Sequence, residues 1–314
     1  MCGIAGRVLT GVGAVGEDLV RLMAAQAHRG ADSTGFAVYG PPRENGYIVR
    51  AMGFDRAAMG QALDDFQRAL QECGSDYLED PTWNEDTASH YSVRAVIRDP
   101  ADLERWVHTA DAMADRLEVQ SVGRSLEIVK DTGDAIAVAD KHDVWSMQGT
   151  HGLGHARLAT ESSVLPNASH PFWARPFADV AIVHNGQITD YFTQRDRLER
   201  AGYRFMTEND SELIAVWVSD QMRQGLSKQQ ALEKSVGAID GVFTFLITDT
   251  DSMGFAKDRF AMKPLVTVEG DGEMTAGTEE QSVRRIHAGE VDVINYDGPS
   301  ITRLWQVGDM RAAA

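Results

Sequence analysis

Met1-Cys2-Gly3-Ile4-Ala5-Gly6-Arg7-Val8-Leu9 opens the chain. Apart from Arg7, residues 3–9 are small or apolar, the pattern of a short buried strand. Gly11 and Gly13 break that pattern. Cys2 stands directly after the initiator methionine. Once Met1 is removed, its thiol and its own α-amino group lie a few bonds apart. A free α-amino group titrates at about 7.7–8.0 and a thiol at about 8.5. The amine can therefore take the thiol proton near neutral pH, with no histidine or aspartate required. By position alone, Cys2 reads equally as a small buried residue at a strand start, which is what most free cysteines are.

Composition narrows the classes. The 314 residues carry 30 Lys+Arg against 47 Asp+Glu, a formal net charge of −17. Nucleic acids and anionic membranes are bound by cationic surfaces, so neither is an expected partner. The length suggests about two domains, or one large domain with an insertion. Two cysteines, Cys2 and Cys73, exclude a disulfide framework and a zinc site built on several thiolates. No metal site is expected. No apolar run approaches the roughly 18 residues of a membrane span. The N-terminus lacks the basic start and long apolar stretch of a signal peptide, so the expected compartment is the cytoplasm.

Beyond the first strand, the pattern predicts a helix over 17–27, ended by Gly30, and strands over 34–39 and 47–52. The stretch from about 54 to 147 has another character: a helix (55–71), an acidic structureless segment (76–86), a strand (91–97), a helix (101–116), strands near 117–122 and 125–129, and a short helix (135–141). It reads as a small inserted α+β lobe. Strands return at 152–157 and 180–185, helices at 194–201, 211–223 and 228–238. Strands at 242–248, 253–257, 265–268, 273–276 and 291–296 follow, with a short helix at 279–286 among them. Residues 291–314 read as a C-terminal strand and tail.

Five segments then stand in order: Met1-Cys2-Gly3-Ile4-Ala5-Gly6; His28-Arg29-Gly30-Ala31-Asp32-Ser33-Thr34-Gly35; Gly154-His155-Ala156-Arg157-Leu158-Ala159-Thr160-Glu161; His184-Asn185-Gly186-Gln187-Ile188; and Thr207-Glu208-Asn209-Asp210-Ser211-Glu212. Together they resemble the class II glutamine amidotransferases, which are N-terminal-nucleophile hydrolases. His170-Pro171-Phe172-Trp173-Ala174-Arg175-Pro176-Phe177 and Ala256-Lys257-Asp258-Arg259-Phe260-Ala261-Met262-Lys263-Pro264-Leu265 look like the amidotransferase domain of glutamate synthases, in particular the separately encoded archaeal-type subunits. The amidotransferase subunit of N-methylglutamate synthase is similar. The resemblance implies an α+β fold, the four-layer αββα sandwich, with strand 3–9 central. It implies an interrupted amidotransferase domain over 2–290, with the 54–147 lobe inserted. Leu158 and Glu161 stand where amino-sugar and purine-pathway relatives commonly carry tryptophan and histidine, which points toward the glutamate synthase branch.

Roles carry over from the resemblance residue by residue. Cys2 is the expected nucleophile toward the side-chain amide of glutamine. The Asn185 side chain and the Gly186 N–H match the oxyanion hole; alone, Asn-Gly also reads as a hairpin turn. Arg157 matches the partner of the substrate α-carboxylate, a role its planar fork suits; alone, it reads as a surface salt bridge. Asp210 matches the partner of the α-ammonium, and it also reads as a helix N-cap. Thr160 is expected to help hold the carboxylate. Arg29 is expected to order the loop over Cys2, or else to be a simple surface charge. His28, His155, His170 and His184 read as structural donors, and Cys73 as an inert thiol.

The chain shows no GxxxxGK[ST] phosphate loop, no Gly-x-Gly-x-x-Gly fingerprint and no cysteine cluster for an iron–sulfur centre. No cofactor is therefore expected in this chain. The resemblance implies a glutaminase subunit that supplies ammonia to a separate synthase subunit carrying FMN and an iron–sulfur cluster, in a hetero-oligomer. N-methylglutamate synthase and a catalytically silent scaffold are the alternatives.

Overall fold

The computed structural model describes residues 2–84, 90–158, 165–270 and 272–308. The chain begins with β1 (Gly3–Gly13), α1 (Val15–Ala24) and β2 (Ser33–Tyr39). Next come β3 (Tyr47–Gly53), α2 (Met59–Glu72), β4 (Tyr77–Trp83), β5 (Tyr91–Ile97), α3 (Leu103–Asp111) and β6 (Leu117–Gly123). They are followed by β7 (Leu126–Thr132), α4 (Ala135–His142), β8 (Gly149–Arg157), β9 (Phe172–Trp173) and β10 (Ala181–Ile188). Helices α5 (Tyr191–Arg200), α6 (Asp210–Arg223) and α7 (Lys228–Ala238) precede β11 (Gly241–Thr248) and β12 (Ser252–Lys257). The last described elements are β13 (Val266–Gly270), β14 (Glu273–Gly277), α8 (Glu280–Val283), β15 (Ile294–Asn295) and β16 (Thr302–Gln306). Among the described residues no helix is long and apolar enough to cross a membrane.

Two sheets stack face to face. One has the strand order β15-β13-β14-β1-β8-β2-β7 and the other β16-β12-β11-β10-β9. β1 lies at the centre of the first, antiparallel to β14 and β8. Strand side chains alternate between faces, and the apolar residues follow that period. Ile4 and Val8 of β1 face the interior between the sheets, with Leu153, Val183, Leu246 and Phe255. Ala5 faces outward into the apolar layer that Leu19, Leu22 and Met23 of α1 build on that side, and Val138 of α4 belongs to the same layer. On the second sheet Ile182, Phe245 and Ile247 face outward beneath α6 and α7. The result is the expected αββα layering. α6 is buried on every side from Leu213 through Val218, as suits a helix apolar all round. α7 is closed by a capping box between Ser227 and Gln230, a reciprocal bond pair that serves two otherwise orphaned amides.

The inserted lobe has different edges from those expected. Its four-stranded sheet, β4-β5-β3-β6, takes in residues 47–53, and its core of Val49, Val93, Val119, Phe66 and Trp106 runs into the sandwich core. β7 instead pairs with β2 in the large sheet, from Ser33↔Thr132 to Tyr39↔Leu126. α4 packs on the outer face of that sheet. The lobe sheet therefore spans 47–123 rather than 54–147. Asp179 fixes the crossing: its carboxylate accepts the backbone N–H groups of Arg124, Ser125 and Leu126 at 2.8–2.9 Å.

Two further expectations are corrected. Residues 77–83 form a strand on the lobe's edge, paired to β5 with register shifts. Its Glu79, Asp80 and Pro81 are residues tolerated on an edge strand, which hid it. Residues 302–306 pair with β12, and 294–295 with β13. The strand expected over 291–296 is present at 294–295, and residues 302–306, read as tail, add a further edge strand to the second sheet. Of β16 only Trp305 is buried, so the alternation that marks a strand is nearly absent.

Candidate active site

Cys2 sits half-buried just ahead of β1. The start of that strand is held from one side by Thr278: Ile4 N–H donates to its Oγ1 at 2.8 Å, and Thr278 N–H donates to the Ile4 carbonyl at 3.1 Å. From the second sheet, β10 delivers Asn185, whose Nδ2 donates to the Cys2 carbonyl at 3.1 Å. A primary amide carries two N–H protons, so one stays available for a ligand beside the thiol.

Asn185-Gly186 is not a hairpin turn. The pair lies within β10, opposite Thr244 and Phe243 of β11. Gly186 has φ +147°, and a Cβ there would stand 1.9 Å from the Val242 carbonyl. No other residue fits without moving β11.

Arg157 ends β8 and is buried, not a surface charge. Its Nη1 donates to the Ala168 carbonyl at 3.0 Å. Burial disfavours its charge and lowers its pKa, with the Asp32 and Asp210 carboxylates acting against that. The loop before β2 passes so close to the end of β8 that a Cβ on Gly30 would lie 2.2 Å from the Arg157 carbonyl carbon.

Asp210 is the first residue of α6, but it is not the cap. Asn209 is: its Oδ1 accepts the Ser211 N–H at 3.0 Å. Asp210 Oδ2 instead accepts the Ile188 N–H at 3.0 Å, and Oδ1 lies 3.5 Å from His184 Nδ1. Burial opposes its ionisation, yet His184, the Ile188 N–H and Ser211 outweigh that and hold the carboxyl below its usual range. The first turn of a helix also favours an anion.

Arg29 does not stand alone on the surface. Its Nε pairs with Glu279, which His28 Nε2 also approaches at 3.0 Å. Arg29 thereby ties the 27–29 turn to the residue after Thr278, at the root of β1. Leu158 is exposed. Thr160 and Glu161 lie outside the described residues.

Sequence reading passed over Glu212 and Lys130. Glu212 is buried and accepts Met206 N–H, Thr207 N–H and Thr207 Oγ1, each at 2.9 Å, so it shapes the loop leading to Asp210. Asn209 and Glu212 have capping-box spacing, the one signal that marks it. His155 and His170 stack edge to face with centroids 3.9 Å apart, and His184 Nδ1 lies 3.0 Å from Ser211 Oγ. Among the described residues no group of three or more His, Cys, Asp or Glu side chains is arranged to hold a metal ion.

Three buried imidazoles, His151 in β8 with His155 and His170, set an acid limit. Burial pushes His151 down to about 4 and His155 to about 3, and holds His170 well below its ordinary value. Unfolded histidine binds a proton near 6.5. Between pH 6.5 and about 4 the unfolded chain therefore binds more protons, and stability falls as pH falls, by up to about 1.4 kcal/mol per pH unit per histidine. Thermal unfolding followed between pH 7 and 4 should show Tm dropping steadily below about 6.5.

A family model described as a glutamine amidotransferase domain matches residues 155–285. A Methanothermobacter thermautotrophicus chain assigned by name to the glutamine amidotransferases is 35% identical over 312 residues, 98% of this chain and 100% of its own. The chain belongs to the glutamine amidotransferase family. The glutamine amidotransferase-like protein GlxB of Rhizobium meliloti is 32% identical over 309 residues, covering 98% of this amidotransferase and 95% of GlxB. The solved glutamine phosphoribosylpyrophosphate amidotransferase of B. subtilis, complexed with ADP and GMP, matches with TM-score 0.57 at 16% identity, over 98% of this chain and 49% of that one. At that identity the likeness is one of fold, the N-terminal-nucleophile sandwich. In this amidotransferase the thiol of Cys2 stands just ahead of β1, Asn185 lies in β10, the buried Arg157 ends β8 and Asp210 opens α6.

Proposed function

We propose that this amidotransferase is the ammonia-supplying glutaminase subunit of a glutamate synthase-like complex. The observation that carries the reading is the meeting of Cys2 with Asn185, together with the shared Ala168 carbonyl that ties the buried Arg157 to Asn209, the cap of the helix that starts with Asp210. Arg157 takes the α-carboxylate of glutamine, and Asp210 the α-ammonium. Thr160 assists at the carboxylate, and Arg29 steadies the segment over Cys2. The α-amine of Cys2 accepts the thiol proton as Sγ attacks the side-chain amide carbon. Asn185 Nδ2 and the Gly186 N–H hold the oxyanion, whose stabilisation is usually the largest single contribution in such reactions. The C–N bond breaks, and the nitrogen leaves as ammonia with the proton from the amine. Water then cleaves the thioester to glutamate and regenerates the thiol.

Every residue of this set is present, which disfavours a silent scaffold. Ammonia is useful only at an acceptor site. From the likeness of this chain's motifs to the glutamate synthase amidotransferases, the acceptor chemistry is assigned to a partner subunit with FMN and an iron–sulfur cluster. Co-purification from the native host tests this. The expected result is a flavin- and iron–sulfur-containing partner, with glutamine-dependent amination by the complex. A chain that purifies alone and releases no ammonia from glutamine would contradict it. Aminated products bearing an N-methyl group would instead favour the N-methylglutamate synthase reading.

A further inference from the structure

Lys130 is a cation that the reaction above does not use. It stands in β7 with only 4% of its surface exposed. Its Nζ donates to the carbonyls of Asn167 at 3.1 Å, Ser169 at 2.9 Å and Pro171 at 3.3 Å, and lies 4.7 Å from the centroid of the Phe172 ring. An ammonium has three N–H donors, and here each meets a carbonyl. Lysine is almost never fully buried without such partners.

The gripped segment touches both ends of the proposed glutamine site. The Ala168 carbonyl accepts Arg157 Nη1 at 3.0 Å and Asn209 Nδ2 at 3.4 Å. His170 Nε2 lies 3.4 Å from Asn209 Oδ1. Asn209 caps the helix that begins with Asp210. One turn of chain therefore braces the guanidinium at one end and the neighbour of the carboxylate at the other.

We infer that Lys130 is a positioning residue for the amino-acid substrate: by gripping residues 167–171 from beneath, it sets the placement of Arg157 relative to Asp210. The inference rests on the reading of those two residues as the partners of glutamine's carboxylate and ammonium. It carries a pH dependence. Burial pushes the Lys130 ammonium down to about 7; Arg175 and Arg157 push the same way, against Glu118 and Glu212, the charged groups that face it. The neutral amine keeps two donors and turns a lone pair toward a carbonyl. The grip loosens as pH rises through 7.

The test is calorimetric titration of glutamine into the full chain carrying Cys2→Ala, with Lys130 intact or replaced by Lys130→Met or Lys130→Gln. At pH 6 the methionine variant should bind about tenfold more weakly or worse, the scale of one lost bond to a charged donor. Between pH 6 and 8.5 Kd should rise with Lys130 intact and stay flatter in Lys130→Met. Equal affinity and equal pH profiles in the intact and Lys130→Met forms overturn the inference. Absence of glutamine binding with Lys130 intact overturns the substrate-site reading instead. If neither Lys130 variant folds, hydrogen exchange on the unsubstituted chain decides. Protection of the Ala168 and Ser169 amides, which donate to the Leu165 and Pro166 carbonyls, should fall above pH about 7 once corrected for intrinsic exchange, and pH-independent protection overturns the inference.

Discussion

Cys2→Ala is expected to lower glutamine hydrolysis by about 10⁴-fold or more, as loss of a covalent nucleophile does, while leaving the fold and glutamine binding in place. Cys2 precedes β1 rather than lying within it, so its side chain carries little of the packing. Ile4 and Val8 supply the interior contacts of that strand, and Thr278 holds its first amide. The bond from Asn185 reaches the Cys2 carbonyl, not its sulfur, so it survives truncation of the thiol. Ammonia release assayed beside calorimetric binding separates the two roles. Loss of binding together with hydrolysis would make Cys2 structural. In the native complex, amination driven by free ammonia should persist in the Cys2→Ala variant.

Asn185→Ala is expected to lower kcat by about 10²–10³-fold with KM changed far less, the usual cost of one oxyanion-hole donor. The ground-state amide oxygen carries little charge, whereas the tetrahedral intermediate carries a full negative one, so the donor acts mainly on the chemical step. The substitution also removes the tie to the Cys2 carbonyl. Asn185→Asp distinguishes the two contributions. It keeps the size of the side chain but replaces the donor with an anion that repels the developing charge, and it should be at least as damaging as alanine. Steady-state kinetics of both variants check this. A rise in KM at constant kcat would place Asn185 in substrate binding instead.

Much of this site was legible in the sequence, because its chemistry sits in short contiguous motifs. Cys2, Asn185-Gly186 and Arg157 each lie in a segment whose neighbours report the same strand. Asp210 was legible as an anion at a helix start; that Asn209 takes the cap was not, since both residues suit that position. What sequence could not show depends on chain segments far apart. Lys130 reads as an ordinary strand lysine until β7 joins β2 and the 167–171 turn folds over it. Glu212 is hidden within an apolar helix, although its spacing from Asn209 marks it. The lobe boundary was missed because β6 and β7 look like one hairpin yet belong to different sheets, and only Asp179, more than 50 residues downstream of the crossing, fixes where they part.

The claim beneath all of this is that Cys2 acts through its own free amine. A diazoketone analogue of glutamine, which alkylates a nucleophile held beside the substrate amide, tests it when the labelled protein is digested and read by mass spectrometry. Cys73 is the internal control: it is buried, with its sulfur 4.0 Å from Thr109 Oγ1. The expected result is a single adduct on Cys2, in a peptide that begins at Cys2 with Met1 gone. An active protein that retains Met1, or an adduct on Cys73 in place of Cys2, would contradict it.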